Sequence, residues 1–151
     1  MFDDPRITAM GLLAEAFGGL NARLADQLAE HDLSGIEFEV LLRLARTPGQ
    51  RLRMSDLAAQ GQLTTSGVTR VVDRLERDGL VERTACSTDR RASYAVLTKA
   101  GSTRLGKVLP GHVAMIERWF TGQLTCEQLD QLLAGLRRVR DAVHPGAASG
   151  A

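Results

Sequence analysis

Long apolar runs are missing from this sequence. No uninterrupted hydrophobic stretch approaches the roughly 18 residues needed to cross a bilayer, and the polar start Phe2-Asp3-Asp4-Pro5 has no leader character. The chain therefore reads as soluble and cytoplasmic, with no membrane partner. Its two cysteines, Cys86 and Cys126, are too few for a disulfide scaffold, and no CxxC or clustered Cys/His spacing supports zinc. By default both read as buried or inert thiols. His31, His112 and His144 are too scattered to propose as ligands. A glycine-rich phosphate loop before a lysine, a nucleophile elbow and a metal cluster are all lacking, so no catalytic residue, cofactor or metal is assigned and an enzyme is not expected. Internal repeats and linkers long enough to divide the chain are absent too.

Net charge is also nearly absent. Nineteen Lys and Arg against 18 Asp and Glu leave +1 over 151 residues. Apolar residues at 44% and charged residues at 25% are ordinary globular values, which excludes a disordered acidic tail or a collagen-like repeat. The charges are, however, segregated. Between Arg43 and Lys107, eleven Arg and two Lys stand against four Asp and two Glu, a local balance of +7. The flanks hold six Arg against twelve acids, a balance of −6. A basic middle between acidic ends implies two jobs in one chain, one of them a phosphate-facing surface.

Asp4-Pro5 suits a helix start, with Asp capping and Pro at the first helical position. Met10, Leu13, Phe17, Leu20, Leu24 and Leu28 then form one apolar stripe, with Gly18-Gly19 as a place for a bend. Ser34-Gly35-Ile36-Glu37 is a capping box opening a helix to about Arg46, and Thr47-Pro48-Gly49 is a turn. An extended piece, Arg51-Leu52-Arg53, leads to a short helix from about Ser55 to Gln60. After the tight turn Gly61-Gln62-Leu63, Thr64 caps a longer helix through Asp78, which Gly79 ends. Val81 to Ala85 and Tyr94 to Leu97 read as two strands of a hairpin. Thr98 begins a helix bearing Leu105, Leu109, His112, Ile116 and Trp119 on one side, in which Pro110-Gly111 predicts a kink or a division. Thr125-Cys126-Glu127-Gln128 is a second capping box, and Leu129, Leu132, Leu133, Leu136, Val139 and Val143 are expected to face inward. Residues 146–151 form a frayed tail.

Two helices joined by a tight turn and followed at once by a hairpin make a winged helix-turn-helix. Thr64-Thr65-Ser66-Gly67 gives the second helix a small, hydroxyl-rich leading end, where free amides and the positive end of the helix dipole favour phosphate. Val68, Val71, Val72 and Leu75 fall on its buried face, leaving Thr69, Arg70, Arg74 and Arg77 outward. Arginine suits guanine edges and phosphates alike. For Arg74 and Arg77 the competing reading is local pairing with Asp73, Glu76 or Asp78. The loop Asp89-Arg90-Arg91 places two arginines where a hairpin tip reaches a narrow minor groove. Asp89, which would repel phosphate, is assigned to shaping the wing. The expected DNA-contacting set is Ser55, Thr64, Thr65, Ser66, Thr69, Arg70, Arg74, Arg77, Ser87, Arg90 and Arg91.

The segment TTSGVTRVVDRLERDGLVERTACSTDRRASYAVLTKAG closely resembles the core of the multiple-antibiotic-resistance regulator (MarR) family. VTRVVDRLE, GLVER, the Asp-x-Arg pair Asp89 and Arg91, and LTKAG occur in family-like order; SGIEFEVLLRLAR and LTCEQLDQLL extend the likeness more weakly. One departure is glycine at Gly61 rather than at Gln62 in the turn. The resemblance implies a mainly α fold: a winged helix-turn-helix core with a small β-hairpin wing, flanked by N- and C-terminal dimerisation helices. Residues 34–104 would be the DNA-binding lobe, with the wing at about 81–97, and residues 1–33 and 105–145 the dimerisation helices. It further implies a homodimer on double-stranded DNA at a pseudo-palindromic operator, acting as a repressor and released by a small anionic or phenolic effector. Leu28, Phe38, Leu42 and Trp119 read as core rather than as an effector pocket. Two other readings are a redox-responsive regulator using Cys86 and a winged-helix module for protein contacts; the basic middle favours DNA over the latter.

Overall fold

The computed structural model describes residues 3–61, 63–85 and 92–145. Helix α1, Pro5–Ala29, starts as its residues require: the Asp4 carboxylate accepts from the Arg6 backbone N–H at 2.9 Å, with Pro5 next to it in the first turn. It runs unbroken through Gly18-Gly19. Helix α2, Gly35–Arg46, is closed by the Ser34–Glu37 capping box and buries Phe38, Val40, Leu41 and Leu44. A 3-10 turn, Pro48–Gln50, reverses the chain with Gly49 at φ +71°, a left-handed conformation that glycine adopts without strain.

Strand β1, Arg51–Arg53, is followed by α3, Met54–Gln60, and α4, Thr65–Arg77. Gly61 closes α3 by donating its N–H to Leu57, and the Leu63 N–H returns to the Ala58 carbonyl oxygen at 2.9 Å. The helix-turn-helix therefore forms with glycine at 61; Gln62 lies outside the described residues. Gly79, at φ +70°, ends α4. Strands β2, Val81–Ala85, and β3, Ser93–Leu97, form the expected hairpin, but the sheet has three antiparallel strands in the order β1-β3-β2. Leu52 of β1 and Arg83 of β2 both face the fully buried Ala95 of β3.

Helix α5, Lys99–Trp119, continues through Pro110, so of the expected kink or division the division does not occur. Gly101 is where α5 meets the turn after α4: a Cβ there would overlap the Leu80 carbonyl oxygen and approach Leu97 Cδ1 to 2.7 Å. Helix α6, Cys126–Val143, has the expected Thr125–Gln128 capping box.

One apolar core lies among α2, α3, α4, the sheet and the first half of α5, with Leu41, Leu44, Leu57, Val72, Leu75 and Val108 fully buried. Each such side chain contributes about 1.5–3 kcal/mol relative to exposure. α1 buries only Gln27 and Leu28, of which Leu28 belongs to this core. Met10 (63% exposed) and Phe17 (68%) face outward. The inward assignment of the α6 stripe is overturned within a single chain: no residue of α6 is buried, and Leu132, Leu136, Val139 and Val143 are exposed. The apolar pattern is there, but among the described residues nothing buries it, and only Leu129 and Leu133 are half-covered. No described helix is long and apolar enough to cross a membrane.

Candidate nucleic-acid interface

α4 is mounted rigidly and presents a polar outer face. Val68, Val72 and Leu75 are buried, and Val71 packs partly against the same core. At its leading end Thr64 Oγ1 accepts from the Gly67 N–H at 3.0 Å and lies 3.1 Å from Ser66 Oγ. Thr64 thus spends its oxygen on the cap. Thr69 Oγ1 donates back to the Thr65 carbonyl oxygen at 2.8 Å, which keeps its lone pairs free for an outside donor. Thr65, Ser66, Thr69 and Arg70 are exposed side by side. Ser55 at the start of α3 joins Thr65 and Thr69 in lining a groove of about 570 Å³, with Arg53, Arg83 and Ser93 opposite.

The three arginines of α4 part company. Arg70 and Arg77 are exposed and make no ion pair with a described residue. Arg74 does pair, but not with Asp73, Glu76 or Asp78: its Nε lies 2.9 Å from Glu37 Oε1 on α2. Asp73 and Glu76 serve Arg83 of β2 instead. Arg83 Nη1 is 2.6 Å from Asp73 Oδ1 and 2.8 Å from Glu76 Oε2, and Nη2 donates to the Thr69 carbonyl oxygen at 3.2 Å. The Arg83 backbone N–H donates to Glu76 Oε1 at 3.1 Å. One side chain thereby fixes the root of the hairpin to α4.

Sequence reading missed Arg83, and also Arg51 and Arg53. The two β1 guanidiniums lie 5.2 and 5.8 Å from the centre of the Tyr94 ring on β3, and Arg53 Nε donates to the Tyr94 hydroxyl at 3.3 Å. The alternation Arg-Leu-Arg was the available signal, with leucine inward and both cations on the outer face. Ser87, Asp89, Arg90 and Arg91, together with Cys86, lie outside the described residues.

Cys126 is exposed at the start of α6, so of the two defaults, buried or inert, burial does not hold for it. Trp119 is not core either: half-buried at the end of α5, its ring lies beneath the guanidiniums of Arg23 (3.8 Å) and Arg118 (4.8 Å). Leu28 and Phe38 are core as expected. Of the histidines, His112 is buried: its Nδ1 lies 3.0 Å from Gln27 Oε1, and its ring centre lies 4.3 Å from that of Phe38. Burial holds its pKa below the ordinary imidazole value. Among the described residues no group of three or more His, Cys, Asp or Glu side chains could hold a metal ion.

Residues 31–92 match the MarR family. The HTH-type transcriptional regulator YkoM of Bacillus subtilis is 33% identical over 127 residues, covering 84% of this chain and 80% of the relative. AbsC, a MarR family transcriptional regulator from Streptomyces coelicolor, is 33% identical, with a TM-score of 0.88 over 93% of this chain and 95% of its own. The chain belongs to the MarR family. A second Streptomyces coelicolor member, Sco3205, solved in complex with DNA, is 32% identical with a TM-score of 0.87 over 91% of this chain and 87% of its own. This MarR-family protein is thus a DNA-binding transcriptional regulator rather than an enzyme. The family-like fragments acquire physical meaning in its fold. VTRVVDRLE carries both the buried valines and the acids that hold Arg83. GLVER contributes Gly79 at the helix stop and Arg83 itself. LTKAG contains the cap Thr98 and the glycine that lets α5 approach Leu80.

Proposed function

We propose that this MarR-family regulator is a homodimeric repressor that reads a pseudo-palindromic operator. Each half-site would receive one α4 in the major groove and one wing in the minor groove. The carrying observation is the outer face of α4, where Thr65, Ser66, Thr69 and Arg70 stand exposed on a helix whose other side is locked into the core. Hydroxyls and guanidiniums at a helix's leading end match base edges and phosphates. Ser55, Thr64 and Arg77 would flank this patch, and Ser87, Arg90 and Arg91 would follow the minor groove with Asp89 shaping the tip. Residues 34–104 are the reading lobe in this account, and residues 1–33 and 105–145 the dimer body.

The uncovered apolar face of α1 and α6 supports the homodimer. The chain exposes 10265 Å², well above the about 7,500 Å² of a compact monomer this size. Part of that excess lies on Met10, Leu12, Phe17, Leu136 and Val139, the kind of patch that monomers seldom leave open. A small anionic or phenolic ligand binding the dimer body would release the operator, provided that it favours the conformation with the wrong spacing of reading heads.

Selection of bound duplexes from a random DNA pool tests the reading. Enrichment of an inverted repeat with half-site centres about 10 bp apart is expected. Failure to enrich any shared sequence, or enrichment of a single unrepeated motif, would overturn it.

A further inference from the structure

Glu37 has a side chain only 4% exposed, yet its carboxylate serves two elements. Oε2 accepts from the Ser34 backbone N–H at 2.8 Å and the Ser34 hydroxyl at 2.7 Å, closing the start of α2. Oε1 faces Arg74 Nε at 2.9 Å, halfway along α4. We propose that Arg74 is a positioning residue rather than a DNA contact, and that the Ser34–Glu37–Arg74 link sets the orientation of the recognition helix against α2. The inference rests on the DNA-reading role of α4.

A carboxylate this deeply buried needs a cation or several donors to offset the loss of water. Capping alone does not require its charge, as the same chain demonstrates. At the start of α6 the neutral Gln128 closes the equivalent box, with Oε1 accepting from the Thr125 N–H at 2.9 Å. The extra feature at Glu37 is the negative charge, and Arg74 is the group that uses it. Arg70 and Arg77 lie along the same stripe of α4, one turn to either side, and neither is paired with a described residue. The middle arginine, its side chain still 56% exposed, places its Nε on the Glu37 carboxylate, while its two neighbours have no such partner among the described residues. Ser34 is the N-cap of α2, so the link joins the start of α2 to the middle of α4.

Glu37→Gln, Arg74→Gln and the double variant test this on the full chain, with a duplex selected from the random pool and affinities measured across salt concentrations. Glu37→Gln keeps a capping side chain and removes the charge. It is expected to weaken operator binding about 3- to 30-fold although residue 37 is buried beneath α4. The double variant is expected to bind no worse than the weaker single variant, since one link has been cut twice. The slope of log affinity against log salt should match the wild type in all three, whereas Arg70→Gln lowers it by about one phosphate contact. A drop of that size in the Arg74 variants, with losses that add in full, overturns the proposal. The double variant leaves no buried charge without its partner, so its slope decides the matter even where a single variant loses stability. Failure of the wild type to bind any selected duplex would instead overturn the DNA-reading role of α4, and the link's function with it.

Discussion

A single buried imidazole ties α1, α2 and α5 together. His112 of α5 lies against Phe38 of α2 and meets Gln27 of α1, whose Nε2 donates to the Val108 carbonyl oxygen at 3.4 Å. With the amide held that way, Oε1 faces the ring and Nδ1 carries the proton of the neutral imidazole. Burial lowers the pKa of the folded state below the ordinary 6.5, so the unfolded chain binds the proton more readily. Stability from this source is complete above pH 6.5 and declines as the pH falls through the window between 6.5 and the lower folded value. Urea unfolding at pH 7.5 and 5.5 is expected to show a smaller loss for His112→Gln than for the wild type. Equal losses in the two proteins would remove His112 from the account.

At the scale of elements, the close contact of α5 with the turn after α4 depends on one missing side chain. Gly101→Ala would drive a methyl group into the Leu80 carbonyl oxygen and toward Leu97. The expected cost is about 1–3 kcal/mol, from overpacking where backbone rather than a flexible side chain must move, read as a lower urea midpoint with unchanged slope. A variant as stable as the wild type would mean that α5 shifts freely on the wing. The glycine of LTKAG was readable as a family feature, but its reason was not. Local signals were legible: both capping boxes, the Thr64 cap and the Gly79 stop depend on residues within one turn of each other. The features that escaped depend on distant partners. β1 has three residues, too few for periodicity, and joins β3 across some forty positions of chain. Arg74 finds Glu37 rather than its near neighbours, and Arg83 takes the acids that seemed to be local partners on α4. The α6 stripe was legible as apolar, but a single sequence does not say whose surface covers it.

For the whole molecule, the near-neutral total conceals a division of labour. The stretch from Arg43 to Lys107 carries +7 and the flanks carry −6. Two reading heads in a dimer would present about +14 toward a duplex, twice the local count. The acidic flanks contain the uncovered apolar face, with Phe17 at its centre beside Leu132 and Leu136. Phe17→Glu would bury a charge in the proposed interface. Light scattering is expected to report the single-chain mass of 16.3 kDa instead of about twice that value, with operator affinity reduced about 100-fold or more as the two heads lose their linkage. A variant that remains dimeric would place the interface elsewhere. Changing the spacing of the half-sites shows whether two linked heads read one repeated site. In a titration against the selected operator, inserting five base pairs between half-sites turns one half by about half a helical turn. Affinity is expected to fall to that of an isolated half-site; affinity unchanged by the insertion would mean that the two heads do not bind as a linked pair.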